Sequence, residues 1–377
     1  MHFELTEEQR AIQEMARGFA RKEILPQAAH YDHTAEFPHA IVDKARTLGL
    51  VGSNVPAEYG GAGVGALEVA LIAEELSYAC AGIAVAVCLN NLPADALLVA
   101  GTEEQKRRFL PRLIEGFGAY ALTEPEAGSD AANLRTRAEK RDGKWVLNGR
   151  KTWISHAPQA HFMIVFARTD PAGGHRGNSA FLVETDRPGV DTSKNIPKMG
   201  QKASHTAEVA FDNVEIPAEN LLGKEGDGFQ IAMKVFDRSR PMVAAFGVGV
   251  TQRALDEAVR YATQRRAFGK TIAEFQGVGF KLAEMAMRLQ AARLLTYQAC
   301  WKIDRGQRNT IEASFAKAFA ADTAMWATTE AVQIFGGYGY SQEYPVEKLM
   351  RDAKVLQIYE GTSEIQRAII VRELTRS

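Results

Sequence analysis

The chain has 377 residues, with 46% hydrophobic and 24% charged residues and a formal net charge of -1. That length allows two or three domains around a sizeable core. Lys and Arg are scattered along helices rather than run together, which argues against nucleic acid as a partner. Cys80, Cys88 and Cys300 lack CxxC spacing and suit a reducing compartment, and His156 and His161 lack the i, i+4 spacing of a metal site. The N-terminal "MHFELTEEQRAIQ" has no apolar signal core, and no apolar run reads as long enough to cross a bilayer. We therefore expect a cytoplasmic protein without membrane insertion.

Residues 1–118 read as helices. A T-x-x-Q capping box, Thr6 to Gln9, opens a helix with Ile12, Met15, Ala16 and Phe19 on one face, and Pro26 ends or bends it. "PHAIVDKARTLGL" and the stretch "ALEVALIAEELSYACAGIAVAVCLNNLPADALLVAG" keep the helical period, with the glycine-rich loop "PAEYGGAGVG" between them. Over 119–225 the pattern changes to strands. "RTRAEKRDGKWVLNGRKTWIS" alternates and carries the turn dipeptides Asp142-Gly143 and Asn148-Gly149, and "HFMIVFAR", "SAFLVET" and "AEVAFDNVEIP" add apolar strands. These predict a mostly antiparallel middle β domain. Over 226–377 long Ala-rich amphipathic segments joined by short loops predict a C-terminal four-helix bundle. The fold class is α+β, in the order helical, β, helical.

Several strings invite chemistry. "GGAGVG" follows a loop and "GVGVTQ" sits within a helical stretch, so neither has the strand-turn-helix context of a dinucleotide fingerprint. "YALTEPEAGSD" (120–130) runs a short strand into a turn where Gly128 permits close backbone approach and free N–H groups and hydroxyls could hold a polar ligand; a solvated hairpin turn is its plain alternative. Trp153 in "GRKTWIS" would ordinarily be core packing. In "FDRSRP", Asp237 and Arg240 fall on one helical face, where a surface ion pair is the ordinary explanation. "RRAFGKTIAEFQ" (265–276) reads as a helix-to-helix turn.

These strings, together with "AVQIFGGYGYSQEYPVEKLMRDAK" and "IYEGTSEIQR", occur in one order along the chain. In that order and in those strings the chain resembles the acyl-CoA dehydrogenases over essentially its whole length, and the last two look nearest the short- and medium-chain branch. The resemblance implies FAD held between the β domain and the C-terminal helices. Tyr120, Leu122, Thr123, Gly128 and Ser129 would border the flavin, with Trp153, Ile154 and Ser155 against its ring. Arg265, Phe268, Gln276, Gln333, Gly336 and Gly337 would reach the cofactor of a neighbouring subunit, and Thr362 and Glu364, just after Glu360, would touch the adenine-dinucleotide end of FAD. A site shared in this way implies a homo-oligomer, in this family a tetramer. Ser129, Asp237, Arg240, Tyr359 and Gly361 would contact the acyl-CoA substrate.

The same resemblance makes Glu360 the catalytic base. It would remove the α-proton of a saturated acyl-CoA while the β-hydrogen leaves as hydride to flavin N5, giving a trans-2-enoyl-CoA, with electrons passing to an electron-transferring flavoprotein. Some branches of the family place the base at the position of Ser239, which cannot serve. Around Glu360, Ser363 and Gln366 form an S-x-x-Q capping box, and Gly361 lets the chain turn. A helix N-terminus favours the carboxylate and burial disfavours it; desolvation is expected to win once substrate binds. After "KTWIS" the family commonly has Asn then Gly or Ala, where this chain has His156-Ala157, a departure expected beside the flavin. An acyl-CoA oxidase, or a non-catalytic helical scaffold of the same fold, are the alternatives.

Overall fold

The computed structural model describes residues 4–376. The first helix, α1 (Glu7–Phe19), opens on the predicted box: Thr6 Oγ1 accepts from the Gln9 N–H at 3.2 Å and Gln9 Oε1 from the Thr6 N–H at 3.0 Å. It widens into a π-helical turn over Ala20–Ile24 before Pro26 is reached. Then come α2 (Ala28–Thr34), α3 (His39–Thr47), α4 (Ala66–Ala79), α5 (Ala81–Cys88), α6 (Asn91–Ala100) and α7 (Glu103–Glu115). One sequence expectation is corrected here. Ala81–Ala100, 20 residues holding an 18-residue window of mean hydropathy 1.8, is long and apolar enough to span a bilayer. Yet 78% of that apolar window is buried inside the protein, and the stretch is split into α5 and α6, as befits core helices.

The middle segment forms one sheet from β1 (Gly118–Ala121), β2 (Arg137–Arg141), β3 (Lys144–Ser155), β4 (Phe162–Arg168), β5 (Asn178–Glu184), β6 (Val190–Asp191), β7 (Thr206–Pro217) and β8 (Leu221–Leu222). Its order is β6-β7-β3-β2-β4-β5-β8, with β1 also on β4; the pairings are antiparallel except those of β1 and β2 with β4. The two-residue period of β4 serves two cores. Phe162, Ile164 and Phe166 pack with Leu97 and Phe109 of α6 and α7, whereas Met163, Val165 and Ala167 face Trp145, Leu147 and Val209.

The rest is helical: α8 (Gly228–Gln264), a hairpin of β9 (Arg266–Ala267) and β10 (Lys270–Thr271), then α9 (Gln276–Asp304), α10 (Thr310–Phe335), α11 (Pro345–Lys354) and α12 (Ser363–Leu374). "GVGVTQ" lies inside α8, and its glycines are there for packing. A Cβ on Gly249 would sit 2.2 Å from the Glu74 carbonyl of α4, and one on Gly247 2.9 Å from the Ala320 carbonyl of α10. The central helix thus presses backbone to backbone against both flanking helices. Ala73 and Leu76, Val243 and Phe246, and Ala324 and Ala327 accordingly belong to one core, so the first and last segments share their interior. This arrangement carries residues 237–240 of α8 beneath the start of α12.

Gly249→Ala should therefore lower stability by about 1–3 kcal/mol through overpacking. Gly277→Ala, where an added Cβ meets nothing within 4 Å near the start of α9, should be neutral or stabilising. Thermal denaturation of the two variants side by side checks the contrast.

Candidate active site

A left-handed turn organises the site. Glu360 has φ +52° and Gly361 φ +91°, and the first of these costs a non-glycine residue about 1–2 kcal/mol. Buried donors hold both peptides. The Glu360 carbonyl accepts from Arg240 Nε and Gln366 Nε2, both at 3.2 Å. The Gly361 carbonyl accepts from Lys317 Nζ at 2.6 Å and Gln366 Nε2 at 3.0 Å. A Cβ at Gly361 would stand 2.7 Å from Gln366 Nε2, so besides straining φ a side chain there would push aside the amide that braces the turn. The expected S-x-x-Q box is corrected. Thr362 is the cap, its Oγ1 accepting from the Ile365 N–H at 3.2 Å. Ile365 cannot return a bond, Ser363 donates instead to Asp322 Oδ1 at 2.8 Å, and Gln366 is left free to brace the turn.

Ser239 Oγ donates to Glu360 Oε2 at 2.6 Å. Read from sequence as a position that cannot supply a base, Ser239 is here the hydrogen-bond partner of the acid. Arg240 and Lys317 are 3% and 0% exposed and lie close by. Glu360 keeps part of its surface open, but its carboxyl is enclosed by protein. Burial pushes its pKa up, against the pull of Ser239, Arg240 and Lys317 toward the carboxylate. The rise expected on substrate binding is already present in the protein's own packing. Burial also brings the Lys317 ammonium down to about 8, with Glu360 opposing. The Glu360 N–H has no acceptor among the described residues.

Arg240 and Asp237 are not a surface pair. Their contact is 3.5 Å, and Asp237 instead accepts from Thr310 Oγ1 at 2.6 Å. The Arg240 guanidinium lies 5.4 Å from the Phe236 ring centre, and that ring lies 5.9 Å from Tyr120. The hydroxyls of Tyr120 and Tyr359 are buried with no hydrogen-bond partner among the described residues.

Trp153 is not core packing. It sits at φ +60° where the register of β3 against β7 shifts between Lys151 and Ile154, and its side chain is 58% exposed. Ile154 points into the sheet core, so only its main chain can meet a ligand, and Ser155 Oγ lies 3.2 Å from Thr206 Oγ1. In the loop after β1, Leu122 is buried, Thr123 partly exposed, and Gly128 and Ser129 exposed.

Arg265, Gly336 and Gly337 come together in the lining of a cavity of about 480 Å³. Its wall carries Tyr261 stacked on Phe335 at 4.1 Å, with the Arg265 guanidinium 5.7 Å from the Tyr338 ring centre. Phe268, 95% exposed, and the exposed Gln276 and Gln333 lie outside that lining. Thr362 and Glu364 line a separate cavity of about 450 Å³, with which the first shares no residue. An exposed indole, an aromatic hollow with a planar cation, and open space above Gly336 and Gly337 fit a flavin nucleotide.

The departure at His156-Ala157 is internal. His156 has φ +64°, is fully buried, and is met edge-on by Phe37 and Phe117 at 5.7 and 5.1 Å. Burial pushes its pKa down to about 3, so it is a neutral packing residue. Sequence reasoning missed Ser239, Lys317 and Gln366 as parts of the site. Ser239 was flagged by its place beside Arg240; Lys317, in an Ala-rich helix, carried no signal beyond being a charge on a buried face.

Family models described as acyl-CoA dehydrogenase N-terminal, middle and C-terminal domains match residues 6–117, 119–214 and 226–375. The chain is 48% identical to an acyl-CoA dehydrogenase of Bacillus subtilis, covering 98% of each chain. Its structure is similar to that of butyryl-CoA dehydrogenase from Megasphaera elsdenii, with TM-score 0.96 and 43% identity over 100% of both chains. It is equally similar, at TM-score 0.96 and 42% identity over 100% of both, to a chain solved in work on the electron transferring flavoprotein of Acidaminococcus fermentans.

Because the Glu360 pKa is raised on folding, its ionisation costs stability as pH rises through the folded-state value, and nothing is lost below the usual carboxylate range. Glu360→Gln removes that cost. Its melting temperature should exceed that of the parent at neutral and mildly alkaline pH, and the difference should close in acid. Equal melting curves at every pH would contradict the enclosed carboxyl.

Proposed function

The chain belongs to the acyl-CoA dehydrogenase family of FAD-dependent oxidoreductases, and on that premise we propose that Glu360 removes the α-proton of a saturated acyl-CoA thioester, giving a trans-2-enoyl-CoA. The observation that carries this reading is an enclosed carboxyl with a raised pKa, mounted on a turn whose carbonyls are taken and whose N–H is free. A base poised nearer neutrality combines a populated carboxylate with enough driving force to take a weakly acidic proton. The free Glu360 N–H is the chain's own donor for the thioester carbonyl, which acidifies the α-carbon as charge gathers on oxygen. Arg240 and Gln366 hold the Glu360 carbonyl from behind, and Ser239 fixes one carboxyl oxygen so that the other faces the substrate.

FAD, when bound, supplies the acceptor for the β-hydride. Tyr120, Leu122, Thr123, Gly128 and Ser129 form one wall of its place, and Trp153 with Ser155 and the Ile154 main chain the other. Thr362 and Glu364 serve the same cofactor, whereas Arg265, Phe268, Gln276, Gln333, Gly336 and Gly337 serve that of a second subunit. Ser129, Asp237, Arg240, Tyr359 and Gly361 are the substrate-side residues. The likeness to butyryl-CoA dehydrogenase supports a short saturated acyl group, and that to the chain from the Acidaminococcus work supports an electron-transferring flavoprotein as acceptor. Three units, 1–118, 119–225 and 226–377, carry these parts, and the buried free thiols suit a reducing, cytoplasmic setting.

Phe280, Met287, Leu294 and Trp301 recur every seventh residue along α9 and are 67, 62, 42 and 47% exposed. An apolar stripe of that length favours a second copy over water, and with the two separate cavities it supports a homo-oligomer, a tetramer in our reading.

Glu360→Gln should retain FAD and bind acyl-CoA, yet flavin bleaching by butyryl-CoA under anaerobic conditions should slow by roughly 10²–10⁴-fold or more. Near-normal bleaching would remove Glu360 from the reaction. Met287→Glu with Leu294→Glu should shift sedimentation toward smaller species; an unchanged profile would move the subunit contact away from α9.

A further inference from the structure

The loop after β1 and the strand bearing Trp153 are joined by a charge pair to which nothing above assigns a role. Lys151 of β3 is fully buried, and its ammonium donates to the Leu122 carbonyl at 2.9 Å and to Glu124 Oε1 at 2.7 Å. Glu124, 3% exposed, also accepts from the backbone N–H groups of Arg135 at 2.6 Å and Thr136 at 3.1 Å. One residue further along β3, the Thr152 N–H donates to the Thr123 carbonyl at 2.9 Å. The next residue is Trp153, left-handed and exposed where the strand bulges. Consecutive residues of one strand thus grip consecutive carbonyls of the loop and then present an indole.

Stability alone is a weak reason for such a pair. Taking both charges out of water costs several kcal/mol per ion, and an apolar pair of similar volume is often as stable or more so. What an apolar pair cannot do is bond named main-chain groups. Leu122, Arg135 and Thr136 are tied through one buried carboxylate and one ammonium, so the loop cannot slide along β3 without leaving a charge unpaired in the interior.

We propose that Lys151 and Glu124 are positioning residues for the flavin: they lock the Leu122–Thr123 main chain in register with the Trp153 bulge and so fix the spacing between the two protein walls of the cofactor site. This rests on the placement of FAD between those walls proposed above. The pair touches neither reacting atom; its effect is geometric. A misplaced wall matters because alignment errors near 1 Å can cost about 10²-fold in rate.

The test compares Lys151→Met, the double variant Lys151→Met with Glu124→Met, and Glu124→Gln, each freed of cofactor and titrated with FAD. Melting temperature and quenching of tryptophan emission are followed alongside. Lys151→Met should weaken FAD binding by about tenfold or more and reduce quenching. The double variant, free of unpaired buried charge, should regain melting temperature but neither FAD affinity nor quenching. Glu124→Gln keeps the shape and loses one acceptor; it should fold near normally and bind FAD several-fold more weakly, and it decides the matter if neither other variant folds. FAD affinity and quenching restored in the double variant would make the pair merely structural and overturn the proposal, as would unchanged affinity in Glu124→Gln. An unaltered parent protein that takes up no FAD would instead overturn the functional reading.

Discussion

Everything in the site depends on two neighbouring carbonyls being turned inward. The Glu360–Gly361 turn is unfavourable for its first residue, and Arg240, Gln366 and Lys317 hold it from three helices: α8, α12 and α10. These bonds satisfy groups that would otherwise be buried and unpaired, and in doing so they set the direction of both the Glu360 side chain and its N–H. The enclosed carboxyl and the N–H proposed to receive the thioester oxygen belong to one residue, so a single backbone conformation fixes both. Two of the donors are cations that also moderate the desolvation of the carboxyl beside them.

The scaffold has the same economy. Glycines inside α8 let α4 and α10 approach to backbone contact, and this closeness puts Ser239 and Arg240 under the turn. The sheet contributes differently. Its strand β4 feeds cores on both faces, while β3 breaks register against β7 twice, the second time where the Trp153 indole stands exposed. Regular ladder and bulge sit within a few residues of each other, rigid where spacing matters and irregular where a side chain must be re-aimed.

Much of this could be read from the sequence. The helical, β, helical order, the antiparallel character of the sheet and the Thr6 box follow from period and turn chemistry, which are local. Glu360 stood out in the sequence only through a string, "IYEGTSEIQR", because one carboxylate before a glycine carries no physical signal of its own. What escaped was non-local. Lys317 is far from Glu360 along the chain and resembles any lysine in an alanine-rich helix, and Ser239 showed only what it could not do. The cap was misplaced by one residue because Ser363-x-x-Gln366 is the better box on paper; in three dimensions Asp322 competes for the serine and the turn competes for the glutamine. Trp153 and the pair at Asp237 and Arg240 reversed their ordinary readings for the same reason, since exposure and burial are set by the neighbours a residue meets.

The apolar stretch Ala81–Ala100 has a consequence for how the molecule is made. Its covers include α8 and β4, which follow it in the chain. A polypeptide emerging from the ribosome carries this greasy segment for the whole time needed to synthesise the sheet and the long central helix. During that interval α3 and α4 can cover part of α5, but the faces that α8 and β4 will bury stay open to water. An apolar face left open for so long favours aggregation, and a chain truncated before α8 would keep it uncovered for good.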